Sequence, residues 1–244
     1  MDTAPKQQIM TPIAIALTFA SGAMDVTSFT RLGFVFTSVM TGNIVLFGLA
    51  VARGSLTLAS HTVVSVAGYI AGVAAGTQIA YRVRTAGPGK AEEPDGASGS
   101  ADAVSLDVRW ALAAELVLLA GFTVGWEITG ASPAGWAQFC LLAAAAAAMG
   151  VQSSAVKDMG LSEVSTTYLT GTLTGLVSSL VRPDQDTPHG VRRFGVLVGL
   201  AAGAILSGLL IATAADGAPA LPLAALVFSL VVASGRLPYR RFRR

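Results

Sequence analysis

Eight apolar stretches, at about residues 12–30, 34–52, 61–81, 109–128, 135–156, 164–181, 193–213 and 219–235, fill most of this 244-residue chain. A helix that crosses a bilayer needs about 20 predominantly apolar residues, and most of these stretches come close to that length. The chain is 53% hydrophobic and only 12% charged, with a mean hydropathy of +0.64. A soluble domain carries about 25% charged residues and has no way to hide this much apolar surface. The expected fold class is therefore all-α, a polytopic transmembrane helix bundle; the alternation of a β-barrel is absent. The 27 glycines and the alanine run at 143–148 suit helices packed closely in lipid, where small residues let backbones approach.

A formal charge of +2 is too small to point to a nucleic-acid partner, and the basic residues gather at the C-terminus and between apolar runs. The single cysteine, Cys140, lies inside an apolar run and has no partner for a disulfide or thiolate metal site. It is expected to serve packing. His61 and His189 stand far apart without a carboxylate at ligand spacing, so no metal is assigned. No cofactor motif is present either. Lys6, the apolar run after it and the small residues at 20–23 imitate a secretory leader. A leader reading is rejected because the residues that follow have an echo in mid-chain.

That echo is the most informative pattern. Gly22-Ala23-Met24-Asp25 leads to Gly33 and then Met40-Thr41-Gly42-Asn43, while Met149-Gly150-Val151-Gln152 leads to Gly160 and then Leu169-Thr170-Gly171-Thr172. Farther on, Gly72-Val73-Ala74-Ala75-Gly76 is matched by Gly199-Leu200-Ala201-Ala202-Gly203. The same order in both halves points to an internal duplication. Between them lies a polar, Gly- and Pro-containing stretch too flexible to pack. The expected organisation is a tail at 1–11, a first repeat at 12–82 and 109–128, a cytoplasmic linker at 83–108, a second repeat at 129–235 and a basic tail at 236–244.

Positive charge collects in cytoplasmic loops. Arg236, Arg240, Arg241, Arg243 and Arg244 belong inside by that rule, as do Arg182, Arg192 and Arg193. Eight crossings would put Arg82, Arg84, Lys90 and Arg109 outside, against the rule. If the two Thr-Gly motif segments are broken or re-entrant and add no net crossing, about six crossings remain. Both termini and the linker are then inside and only Arg53 is out of place. Three crossings per half give the repeats inverted topology, the arrangement of many secondary transporters, whose sites lie at interrupted helices near the midplane.

Gly42 and Gly171, flanked by Thr41, Asn43, Thr170 and Thr172, suit such interruptions, because the flanking side chains can satisfy freed backbone groups. Ordinary close helix packing also uses Gly-Thr pairs. Tyr168 adds a hydroxyl and an aromatic face. Asp25, an ionisable group well inside an apolar segment, is the sharpest single candidate, either as a proton or cation site or as an ion-pair partner of Arg31 or Lys157. Gln152 takes its place in the second half. Arg31 and Lys157 would neutralise an anionic solute or snorkel to the interface. Glu115 lies within the fourth segment and merits substitution, whereas Glu127 lies near that segment's end. No hydrolase elbow, nucleotide-binding loop or zinc-protease motif occurs, so no enzyme is expected.

The phrase Gly33-Phe34-Val35-Phe36-Thr37-Ser38-Val39-Met40-Thr41-Gly42-Asn43 resembles the YoaK-like family of bacterial membrane proteins, a domain of unknown function. So do Thr166-Thr167-Tyr168-Leu169-Thr170-Gly171-Thr172-Leu173-Thr174 and the two upstream phrases at 22–25 and 149–152. The resemblance covers nearly the whole chain apart from linker and tails. It implies a multi-pass protein of the bacterial inner membrane and no established substrate. The functional expectation is a small secondary transporter or permease for a small polar solute. The alternative is a non-transporting scaffold that binds a partner helix or lipid through Gly-rich faces. The bilayer is the one partner the sequence demands; it demands no oligomer.

Overall fold

The structure, a computed structural model, describes residues 3–86, 104–159, 169–181, 190–213 and 217–234. Among these residues there are eight α-helices and no strand: α1 (Thr3–Arg31), α2 (Met40–Ala52), α3 (Leu56–Ala86), α4 (Leu106–Ile128), α5 (Gly135–Asp158), α6 (Leu169–Val181), α7 (Gly190–Thr213) and α8 (Ala220–Ala233). In lipid a helix satisfies its own backbone, and the hydroxyls inside these helices do the same. Thr18, Ser21 and Thr27 each donate to the carbonyl one turn back in α1.

Five helical segments are long and apolar enough to cross a membrane: Met10–Arg31, Leu56–Ala86, Leu106–Ile128, Gly135–Asp158 and Arg192–Thr213. The expected six crossings would need α8 as well, which is apolar but has only 14 residues. Several boundaries move from expectation. Helix α1 already starts at Thr3, α3 runs on to Ala86 and α4 begins at Leu106, so both ends of the expected linker are helical. The second apolar stretch divides into a non-helical segment up to Val39 and the short α2. The core of the linker, residues 160–168 and the basic C-terminal tail lie outside the described residues.

Helices α1 and α5 are central, each with 67% of its spanning window buried, against 22% for α3 and α7. Helix α3 packs along α5 and α7 along α1, while α4 and α8 cover α5 and α1 respectively and also touch each other. Glycines set the two tightest crossings. A Cβ at Gly68 or Gly72 would strike the backbone of Ala143 or Ala147, and one at Gly150 would strike Tyr69 and Val73. Likewise a Cβ at Gly199 or Gly203 would meet Ile15 or Phe19, and one at Gly22 would meet Leu200 and Ala204. Successive turns meet in the same order, so α3 runs parallel to α5 and α7 parallel to α1. Helices α1 and α5 are antiparallel. Gln138 donates to the Arg31 carbonyl near one end of that pair, whereas Gln152 donates to the Leu17 carbonyl farther along.

Around this core the surface is apolar: Ile44, Val45, Ile70, Val117, Ile128, Ile205 and Leu209 are all exposed. Soluble monomers do not expose apolar belts of this kind, and lipid covers them here. Cys140 is also exposed, so it faces the surroundings of the bundle and not a packed interior. At the end of the bundle where α3 stops, Arg84 pairs with Asp107 at the start of α4, at 2.5 Å, and with Asp158 at the end of α5, at 3.4 Å. The half-exposed arginine ties three helix ends across the linker.

Candidate functional site

The chain leaves α1 through Gly33, at φ +102, and Phe34, at φ +61. Gly33 lies against the His61 ring, which a Cβ there would strike, so the turn needs glycine for both conformation and space. The backbone then runs without helical hydrogen bonds as far as Val39, and side chains from three helices supply what it lacks. Ser28 donates to the Val35 carbonyl at 2.8 Å. Asn43 accepts from Phe36 N–H at 2.9 Å and donates to the Phe36 carbonyl at 2.7 Å, a two-point grip on one residue. Ser65 of α3 also donates to that carbonyl and accepts from Asn43 at 3.0 Å.

Asp25 holds the next two residues. Its Oδ1 accepts from Thr37 N–H at 2.8 Å, Thr37 Oγ1 at 3.0 Å and Ser38 N–H at 2.8 Å, and its Oδ2 accepts from Ser38 Oγ at 2.5 Å. Asp25 stands six residues before the end of α1, about 9 Å along the axis. The chain has therefore turned back along α1 before α2 begins. The carboxylate is only 6% exposed, yet four donors compensate its burial. It makes no ion pair with Arg31 or Lys157, the structural alternative raised by the sequence. Arg31 reaches toward the Ile211 carbonyl at 3.5 Å. Lys157 is exposed near the far end of α5, and the ion pairs among the described residues are those of Arg84.

Gln152 crosses from α5 to α1, donating to the Leu17 carbonyl at 3.1 Å and to Ser21 Oγ at 2.8 Å. Ser21 is one turn from Asp25, which brings Gln152 and Asp25 to neighbouring levels of the central pair. The Gln152 Oε1 is buried without a hydrogen-bond partner among the described residues. Asn43 is fully buried, Gly42 half-buried against Phe36 and Val39, and Thr41 exposed. On α6, Thr170 and Gly171 are exposed and Thr172 is buried. Tyr168 lies outside the described residues. Within these limits, the described contacts join Asp25 and Asn43 through the segment at 36–38, while α2 packs on α3 and α6 on α7.

Sequence reasoning passed over Thr37, Ser38, Ser28 and Ser65, the partners that give Asp25 and Asn43 their work. A signal existed in Thr37-Ser38 just ahead of a helix, where hydroxyl residues commonly cap. It also passed over the isolation of Glu115, which is completely buried with neither carboxyl oxygen hydrogen-bonded among the described residues.

Apolar outer surfaces, helices of membrane-spanning length and a polar non-helical segment folded back into the bundle define a multi-pass, all-helical membrane protein. The chain belongs to the family described as protein of unknown function DUF1275, which it matches over residues 13–234. It is 32% identical over 164 residues to the UPF0700 transmembrane protein YoaK of Bacillus subtilis (strain 168). That match covers 67% of this chain and 64% of the relative, just under two thirds of its length. No solved structure matches the chain. The family read from the Thr-Gly phrases is the family found.

Proposed function

We propose that this protein is a small secondary transporter of the bacterial inner membrane, moving a small polar solute between two halves of inverted topology. In this reading α1, α2, α3 and α4 correspond to α5, α6, α7 and α8. The observation that carries it is the pairing of the two glycine crossings. Gly68 and Gly72 meet α5 as Gly199 and Gly203 meet α1, and Gly150 meets α3 as Gly22 meets α7. The reading aligns Gly68 and Gly72, rather than Gly72 and Gly76, with Gly199 and Gly203, because those pairs approach equivalent carbonyls. Equivalent helices α1 and α5 run in opposite directions, as inverted halves require.

Six crossings follow if α8 spans, with α2 and α6 as short helices of re-entrant segments. The termini and the linker then lie in the cytoplasm, where the positive charges belong. The solute site lies along the central pair, near the break held by Asp25 and Asn43. Gln152 brings there a carbonyl oxygen without a hydrogen-bond partner among the described residues, and the reading adds Thr41, Gly42, Thr170, Gly171 and Thr172 from the two short helices. Asp25 shapes the break through its four hydrogen bonds. The segment at 35–38 is non-helical backbone at membrane depth, which lipid does not tolerate unless protein buries it or it lines a polar cavity. The reading assigns no covalent chemistry.

Alternating access is the property to test. With Cys140→Ser as background, Thr41→Cys and Thr170→Cys are reconstituted in a single orientation and treated with a membrane-impermeant thiol reagent from either side. Reaction of each position from both sides is expected. Reaction from neither side would set transport aside in favour of the scaffold that binds a partner helix or lipid.

A further inference from the structure

The transporter reading gives no task to Glu115, the buried carboxyl with neither oxygen hydrogen-bonded among the described residues. On α4, Val108, Leu112, Leu119, Phe122 and Trp126 form the buried stripe, and Glu115 occupies the position between Leu112 and Leu119 where the same spacing calls for another apolar residue. Its side chain is completely buried, and both oxygens lack a hydrogen-bond partner among the described residues. Asp25 is also buried but has four donors. An ionised carboxylate without donors or a counter-ion is too costly in such surroundings to persist.

We propose that Glu115 is a proton-binding site inside the bundle, distinct from the break that Asp25 holds. In the conformation seen here Glu115 carries its proton, and it releases that proton to water when water gains access to it. The groups around it leave the carboxyl unneutralised. Asp107, Arg109 and Glu127 of its own helix are a turn and a half or more away, about 9 to 18 Å along the axis. The packed elements are α3, α5 and α8. From α3 the ionisable groups are His61, Tyr69, Tyr81, Arg82 and Arg84, and from α5 they are Cys140, Lys157 and Asp158. Helix α8 has none. Of these, Tyr69 lies in the middle of its helix, partly buried against the core, and the cationic groups are at helix ends.

A groove of about 460 Å³ runs between α4 and α8, from Arg109 and Ser234 past Ala113 and Leu230 to Leu116 and Val227. It reaches Leu116, which follows Glu115 in sequence and points about 100° away around the helix. On α8 the fully buried Ser229 precedes the lining residue Leu230, its hydroxyl donating to the Ala225 carbonyl at 2.8 Å and leaving its oxygen as an acceptor. In the proposal, water reaches the carboxyl when α4 parts from α8 and turns past Leu116. The proposal rests on the transporter reading only for the use made of the proton; the binding itself is independent of any solute.

The test uses the purified full-length protein in lipid and a hydrophobic carbodiimide, which adds to protonated carboxyls that water does not reach. An N-acylurea adduct on Glu115, found by mass spectrometry, is expected at acid pH. Its yield should fall about tenfold per pH unit beyond the titration midpoint. In parallel, the infrared band of a protonated carboxyl should disappear at alkaline pH in the natural protein and be missing in Glu115→Gln. Absence of adduct at every pH, or adduct and infrared band that do not change with pH, would overturn the proposal. Either failure leaves the two-sided accessibility of Thr41→Cys and Thr170→Cys untouched.

Discussion

Both ends of the Asn43 amide meet the backbone of Phe36, and Ser65 closes the group from α3. A backbone pair that would sit in a helical ladder is satisfied instead by one side chain, which is why an extended segment survives deep in an apolar bundle. Asn43→Ala leaves the part-buried Phe36 N–H without its partner, and such a loss costs up to about 1–3 kcal/mol. The expected result is a clear fall in melting temperature in detergent, with Asn43→Asp milder because it keeps the acceptor for Phe36 N–H. An unchanged melting temperature for Asn43→Ala would remove the grip from the account. At this scale the sequence pointed to Asp25 and Asn43 correctly as unusual residues, since a charge and an amide in apolar runs need a reason. It did not disclose that reason. The partners at 36–38 are near in sequence but become partners only because the chain turns back at Gly33, and the Ser65 contact comes from another helix.

At the scale of elements, glycine does two separate jobs. Gly33 turns the chain, whereas Gly72 and Gly203 let helices α3 and α5, and α7 and α1, approach until backbone meets backbone. Gly72→Leu and Gly203→Leu force a side chain into a neighbouring carbonyl, and overpacking of this kind costs about 1–3 kcal/mol or more. Both substitutions are expected to lower thermal stability by similar amounts. Gly48→Leu, where a Cβ meets nothing, leaves stability unchanged. Unequal losses at Gly72 and Gly203 would count against equivalent crossings. The number and class of helices were legible from apolar stretches, while the register proposed from the packing differs from the sequence echo by one turn of α3. In a chain so rich in Gly and Ala several registers look alike, and the proposed one follows the carbonyls each glycine meets.

For the whole molecule, two buried central helices, an apolar perimeter and the buried polar groups around Asp25 and Asn43 separate a lipid-facing outside from a partly polar inside. On the transporter reading positive charge orients the bundle, and inverted halves agree with the opposite directions of α1 and α5. The linker between α3 and α4 and the connection between α4 and α5 must in that case lie on opposite sides of the membrane. Single cysteines test this directly. Gly99→Cys in the linker and Ser132→Cys in the exposed α4–α5 connection, each on the Cys140→Ser background, are labelled in intact cells with an impermeant thiol reagent before and after lysis. The account predicts that Ser132→Cys labels in intact cells while Gly99→Cys labels only after lysis. Labelling of Gly99→Cys in intact cells would contradict it and, with α1 and α5 antiparallel, would mean that the bundle is inserted with its linker outside.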